Sequence, residues 1–319
     1  MRAVRYHGYG GPEQLRLEKV DVPPVAPGEV LVRQEASSVN PADWKFQTGW
    51  FRDWVPLPLP FVPGADIAGI VVAGGEDAGF GPGQAVIGMN PVHCGGAWAD
   101  YVVATVDSLA LAPKRMPLAR AAGLPLAGLT ARMALFTHGG LTAGQRVLIH
   151  TAAGGVGCLA VQLAKHAGAE VIATCSAANR DFVTSLGADE VIDYRTEDFS
   201  ARLRGLDLVV DSIGGDVQRR SFAVLRSGGT LVTLAPTPVP PDAAAGRDIR
   251  VRTVAVTPDG DGLRQIADLA EEGRLRLPVD RVYCLEDAAR AMAHSQAGGA
   301  RGKIILQIQD QQQFGPDWG

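Results

Sequence analysis

The sequence predicts an α/β protein: a β-rich part joined to a doubly wound parallel sheet. Three observations carry this. The first 120 or so residues hold short apolar or alternating runs separated by Gly/Pro turns. Between about residues 122 and 260 the texture becomes strand, helix, strand, as in a parallel sheet with crossover connections. A glycine-rich turn then sits where the first of these strands meets its helix. A length of 319 residues suits two cores better than one.

In chain order, "EVLVRQEA", "IAGIVVAG", "QAVIGM" and "ADYVVA" are the early strands, punctuated by "APGE" and "GPGQ". The later strands are expected over Arg146–His150, Glu170–Thr174, Glu190–Asp193, Leu206–Asp211, Thr230–Ala235 and Val251–Val256. After them come two helices, "DGLRQIADLAEEG" and "LEDAARAMAHSQ", and a last strand, "GKIILQI". "QDQQQFGPDWG" reads as a polar tail, and no internal repeat is present.

The strand "RVLIH" is mostly apolar, as one buried on both faces should be. It runs into Ala152-Ala153-Gly154-Gly155-Val156-Gly157 and then a helix with Val156, Ala160, Leu163 and Ala167 on one face, stopped by Gly168. In the G-x-G-x-x-G register the key positions are Ala152, Gly154 and Gly157. The second must lack a side chain so that the backbone can approach a pyrophosphate, and the third lets helix and strand pack closely. Both are glycine. The first needs only a tight turn, which alanine satisfies at negative φ. The helix N-terminus offers free N–H groups and partial positive charge to phosphate. The turn is therefore read as a dinucleotide site, against the alternative of a purely structural βα turn.

The end of the second strand selects the dinucleotide. Where an NAD enzyme places Asp or Glu for the ribose 2′-hydroxyl, this chain has Ser176-Ala177-Ala178-Asn179-Arg180. A carboxylate repels a 2′-phosphate, whereas a hydroxyl and a guanidinium bind one. NADPH is expected, the alternatives being a helix cap for Ser176 and a solvated Arg180.

A net charge of −4 gives no long-range attraction to nucleic acid or to an anionic membrane. "MRAVRYHGYGG" lacks the apolar core of a signal peptide, and no run approaches the ~20 apolar residues that span a bilayer. Cys94, Cys158, Cys175 and Cys284 are scattered, without a CxxC pair. The expectation is a soluble, cytoplasmic protein.

The segments "SVNPADWKFQTG", "FVPGADIAGIV", "GPGQAVIG", "GGAWADYV", "LPLAGLTARMAL", "AAGGVGCLAVQLAKHAGA", "LGADEVIDY", "LDLVVDSIGG" and "GGARGKIIL" occur in series. In their order and spacing the chain resembles the medium-chain dehydrogenase/reductase superfamily, in its zinc-independent, zeta-crystallin-like quinone oxidoreductase branch. The resemblance implies a GroES-like substrate domain from both ends of the chain (1–121 with 261–319). A Rossmann cofactor domain (122–260) is inserted, and the active site lies in the cleft between them. It implies hydride transfer from NADPH to a quinone or an α,β-unsaturated carbonyl, and commonly a homodimer, for which "VRTVAV" is a candidate edge strand. A non-catalytic NADPH-binding sensor or crystallin-like protein, and an alcohol dehydrogenase, are the alternatives.

Zinc-dependent relatives carry a catalytic Cys near the position of Val39–Asn40 and a His-Glu pair at the position of Ala65–Asp66. These residues and the isolated His93-Cys94 pair do not make the three-ligand set that catalytic zinc needs, so no metal is expected. Without metal, the charge that develops on the acceptor oxygen wants a donor or cation. Asn40 and Lys45 of "NPADWK" are the catalytic candidates, the alternatives being a turn amide and a surface lysine. The tyrosines that related quinone reductases often place here are replaced by Lys45, Phe46, Trp50 and Phe51, leaving solvent or Lys45 to deliver the proton. Trp44, Trp50, Phe51 and Trp54 suit either an apolar wall for a flat substrate or a pinned loop.

Carried over by position, the resemblance puts Asn40 and Thr130 near the nicotinamide and Ala153, Gly154, Gly155 and Val156 around the pyrophosphate. Tyr194 joins Ser176 and Arg180 at the 2′-phosphate. Ile213, Leu234 and Ala235 border the cofactor channel. Asp66 and Asp211 match the family's pattern and are read as structural hydrogen-bonders. Arg301 and Lys303 are read as structural, the alternative being a reach to the cofactor from the last strand.

Overall fold

The computed structural model describes residues 1–74, 79–239, 244 and 248–309. Its strands are β1 (Arg2–Arg5), β2 (Arg16–Lys19), β3 (Glu29–Val39), β4 (Asp66–Gly74), β5 (Ala85–Met89), β6 (Tyr101–Thr105), β7 (Leu109–Leu111), β8 (Arg146–Ile149), β9 (Glu170–Cys175), β10 (Glu190–Asp193), β11 (Leu206–Asp211), β12 (Leu225–Thr233), β13 (Ile249–Thr253), β14 (Val279–Cys284) and β15 (Lys303–Gln307). The α-helices are α1 (Pro41–Gln47), α2 (Leu118–Ala121), α3 (Pro125–Arg132), α4 (Gly155–His166), α5 (Arg180–Ser185), α6 (Phe199–Arg202), α7 (Gly215–Ser221), α8 (Gly260–Glu271) and α9 (Ala288–Ala297). The polar tail beyond Gln309 lies outside the described residues, as do parts of the segment "APTPVPPDAAAGRD".

The described residues form two compact units, one from Met1–Leu126, Thr257–Gly273 and the chain from Leu277 onward, the other from Ala127–Val256 with Arg274–Arg276.

In the first unit, β3 is the spine. Its burial alternates along most of its length, as a strand with one face in a core requires. It pairs antiparallel with β4, β6 and β15 in a sheet of order β14-β15-β3-β4-β5-β7, with β6 on β3. Val30, Val32, Ile67, Val71, Val86 and Val102 fill one core, and Val4, Tyr6, Trp98, Leu285, Met292, Ile304 and Leu306 fill another. The β15–β3 register sets Ile304 against Val39, which brings Lys303 beside the start of α1.

The second unit is a six-stranded parallel sheet of order β10-β9-β8-β11-β12-β13. Parallel strands need crossovers, and α4, α5, α6 and α7 supply the helices. Leu148, Ile172, Val209, Phe199, Phe222 and Leu231 make its core. β12 starts at Leu225, before the expected Thr230, because Leu225 already pairs with Leu206 across a register shift. β13 is Ile249–Thr253, not Val251–Val256, because pairing with Gly229–Thr233 sets its bounds. With β10 it is one of the sheet's two edge strands among the described residues, and its Arg250, Arg252 and Thr253 are exposed.

Candidate functional site

The glycine turn forms at the carboxyl end of β8 and opens α4, whose N-cap is Gly154. A Cβ on Gly157 would come within 2.3 Å of Thr151 O and 2.7 Å of Ala152 Cα, so glycine there is required by the backbone itself. A Cβ on Gly154 would meet only Thr151 O at 3.4 Å, an ordinary contact. Its backbone (φ −78) also suits any residue. Packing therefore does not explain Gly154, and its missing side chain leaves the helix N-terminus open to close approach. Ala152 is fully buried and is not among the positive-φ residues. The left-handed conformation falls one residue earlier, on Thr151 (φ 51), the one non-glycine with positive φ among the described residues. A β-branched residue there is strained, and such strain gathers at functional turns. Thr151 Oγ1 pairs with Ser212 Oγ across to the end of β11. Sequence reasoning missed Thr151, because nothing in a threonine signals positive φ.

The other candidates of this unit lie at the same edge, beyond the carboxyl ends of the parallel strands. Ser176 follows β9, Tyr194 follows β10, Ile213 follows β11, and Leu234 and Ala235 follow β12. Tyr194 and Ile213 are large apolar side chains left 57% and 44% exposed. Ala153 is buried in the turn, and Thr130 is buried in α3. Arg180 is already engaged on β10 and on Glu197. Its guanidinium donates to Val191 O and Glu197 Oε1, and Glu197 also pairs with Arg202. The neighbouring cation is Arg195, whose guanidinium lies 5.7 Å from the Tyr194 ring centroid with no carboxylate partner among the described residues. Asp211 serves as a turn anchor, accepting from Ile213 N, Gly214 N and Gln218 Nε2.

In the first unit, a buried polar cluster surrounds the start of α1. Asn40 Nδ2 donates to Asp66 Oδ2 at 2.8 Å, and Lys303 Nζ donates to Asn40 Oδ1. Lys303 Nζ also stands 3.7 Å from Asp66 Oδ2. Asp66 accepts further from Ser38 Oγ and Leu126 N. Asn40 and Asp43 close a reciprocal cap: Asn40 N donates to Asp43 Oδ2, and Asp43 N to Asn40 O. Burial pushes the Asp43 carboxyl up to about 7. Asn40 thus spends its side chain inward, as part of the frame.

Lys45, one turn along α1, is half-buried. Its ammonium rests 5.4 Å from the Trp44 ring centroid and 5.9 Å from that of Trp50, and has no carboxylate partner among the described residues. Burial lowers its pKa from the ordinary lysine value. Trp44 Nε1 is buried without an acceptor among the described residues, and Trp44–Trp50 and Phe51–Trp54 make ring contacts while Trp54 stays exposed. A desolvated ammonium walled by aromatic rings can stabilise an oxyanion or release a proton to it.

Comparison with known proteins adds the family. Residues 26–114 match the alcohol dehydrogenase GroES-like domain, and 186–306 match the model described as zinc-binding dehydrogenase. A chloroplastic quinone oxidoreductase of Triphysaria versicolor is 38% identical, covering 96% of this chain and 98% of its own. The chain belongs to the medium-chain dehydrogenase/reductase superfamily. A chloroplastic NADPH-dependent alkenal/one oxidoreductase of Arabidopsis thaliana is 34% identical over 96% of this chain and 79% of that one. The solved quinone oxidoreductase of Coxiella burnetii superposes with a TM-score of 0.89 at 31% identity, covering 97% and 99%. This member of the superfamily is an oxidoreductase with a GroES-like domain and a Rossmann-type sheet, placed among quinone oxidoreductases.

Zinc does not fit the donor set of this dehydrogenase/reductase. Near the positions where zinc-dependent relatives place ligands stand Val39–Asn40 and Ala65–Asp66, without thiol or imidazole, and an ammonium already lies against Asn40 and Asp66. Among the described residues no group of three or more His, Cys, Asp or Glu side chains could hold a metal, and no helix is long and apolar enough to cross a membrane.

Proposed function

We propose that the protein is an NADPH-dependent reductase of quinones or α,β-unsaturated carbonyls that works without zinc, as a homodimer. The observation that carries this is the turn at Gly154, where a side chain is absent without any packing need for its absence, in front of the N-terminus of α4. NADPH fits there: the turn and first helical N–H groups would hold its pyrophosphate. Ser176, Tyr194 and the uncompensated Arg195 would hold its 2′-phosphate, with Arg180 bracing β10 behind them. When bound, it supplies the hydride. Ala153, Gly155 and Val156 shape the turn, and Thr130, Ile213, Leu234 and Ala235 line the nicotinamide end.

Lys45 is the residue that meets the acceptor oxygen. Its lowered pKa makes it a better acid than an exposed lysine, and the Trp44 and Trp50 rings favour a flat, conjugated acceptor. Asn40 holds the frame from which Lys45 projects. The named activities of the quinone and alkenal/one oxidoreductases support the same substrate classes.

The test is steady-state oxidation of NADPH and NADH with a panel of quinones and enones. NADPH is expected to be preferred, and Lys45→Met to lower kcat tenfold or more with KM for NADPH little changed. Binding of NADPH without turnover of any acceptor would favour a non-catalytic protein instead, and equal use of NADH would remove the 2′-phosphate argument. The dimer rests on the exposed edge strand β13 and is checked by light scattering.

A further inference from the structure

The buried charges of the first unit call for an explanation that packing does not give. Asp43 and Asp66 are buried carboxylates, and Lys303 is a buried lysine, 3% exposed. Two carboxylates withdrawn from water need a nearby positive charge, and the apolar β15 delivers one from the far end of the chain. Its register against β3 leaves no freedom: with Ile304 opposite Val39, the Lys303 side chain reaches the Asn40 amide and Asp66.

We infer that Lys303 is a positioning residue that takes the place of a metal ion at this site, locking the turn from which the Lys45 helix starts. Each link is a contact. The ammonium fixes Asn40 Oδ1, which leaves Asn40 Nδ2 to face Asp66 Oδ2. The backbone of Asn40 is tied to Asp43 by the reciprocal cap that opens α1. Lys45 follows two residues after Asp43 on that helix. A divalent ion needs three or more converging ligands, whereas a lysine carried on a strand brings its charge covalently and needs none of the missing thiols or imidazoles. The functional side of this inference rests on the reading of Lys45 as the group that meets the acceptor.

The test uses Lys303→Met, the double variant Lys303→Met/Asp66→Asn, and Lys303→Arg. Three quantities are measured: the thermal midpoint, the pH profile of Lys45 acylation by an amine-reactive ester read by peptide mass spectrometry, and kcat with KM for NADPH. Lys303→Met strands a buried carboxylate and should lower the midpoint by about 10 °C. The double variant removes both charges and should regain most of that loss. If Lys303 positions α1, the double variant still shows Lys45 reacting at a pH higher by about half a unit or more, as a better solvated lysine does. Its kcat stays tenfold or more below wild type, while KM for NADPH stays within twofold.

A double variant with restored midpoint, wild-type Lys45 profile and kcat within twofold would reduce Lys303 to charge compensation and overturn the inference. Should the methionine variants not fold, Lys303→Arg decides. Its bulkier guanidinium should move the Lys45 profile, and an unmoved profile overturns the idea. Stoichiometric zinc retained by the purified wild-type protein would overturn the replacement of metal. If wild type reduces no acceptor, the proposed function fails, yet the acylation profiles still decide the positioning.

Discussion

The two glycines of the turn look alike in sequence, yet packing requires only Gly157, and substitution separates them. Gly157→Ala drives a Cβ into backbone atoms of Thr151 and Ala152, which cannot move aside as a side chain can. It should cost about 1–3 kcal/mol or more of stability, read by denaturant unfolding. Gly154→Ala meets only an ordinary contact and should leave stability within about 0.5 kcal/mol. It should nevertheless weaken NADPH binding tenfold or more, measured by cofactor fluorescence titration. A fall in both properties for both variants would show that the turn is structural throughout. The packing role of Gly157 was legible in the sequence because helix and strand can meet this closely only over a glycine at that spacing. Thr151 and Arg195 were not legible. A strained φ leaves no mark on a threonine, and Arg180 and Arg195 could be told apart only by where Glu197 falls.

At the scale of the element, α1 is short, and its cap carries a titrating group. Asp43 sits at about 7 in the fold because burial disfavours its charge. A carboxyl whose folded pKa is raised contributes stability that is fully present below its unfolded value. That contribution is lost as pH rises through the folded one. The first unit should therefore weaken as pH climbs from about 4 to about 7. Asp43→Asn should flatten that slope, which urea unfolding at a series of pH values would show. Strand order was readable where apolar runs alternated with helical ones, and β10 and β11 match the expected bounds. β12 and β13 differ at their ends, because pairing partners rather than local composition decide where a ladder stops. The role of Lys303 depended on register across 263 residues, and no local pattern encodes that distance.

At the scale of the molecule, the second unit responds to acid in the opposite sense. His150 directly follows β8, fully enclosed, with Thr174 Oγ1 and Ser221 Oγ on its two nitrogens. Burial holds its pKa down to about 4. A histidine depressed in this way gives stability that is present above its unfolded value, near 6.5, and that is lost as pH falls toward about 4. Calorimetry across pH 4–7 should thus show the unfolding of one unit moving up while the other moves down. His150→Gln should remove the acid sensitivity of the second unit alone. The order of the chain has one more consequence, for synthesis on the ribosome. The stretch Ala127–Val256 is continuous and has its whole sheet in hand well before Lys303–Gln307 emerges. Until then the Ala36–Val39 end of β3 lacks its β15 partner, because β6 pairs only with Glu29–Arg33, and Asp66 lacks its ammonium. The nascent first unit therefore waits with an open, apolar strand edge, the interval in which a chaperone would be most useful to it.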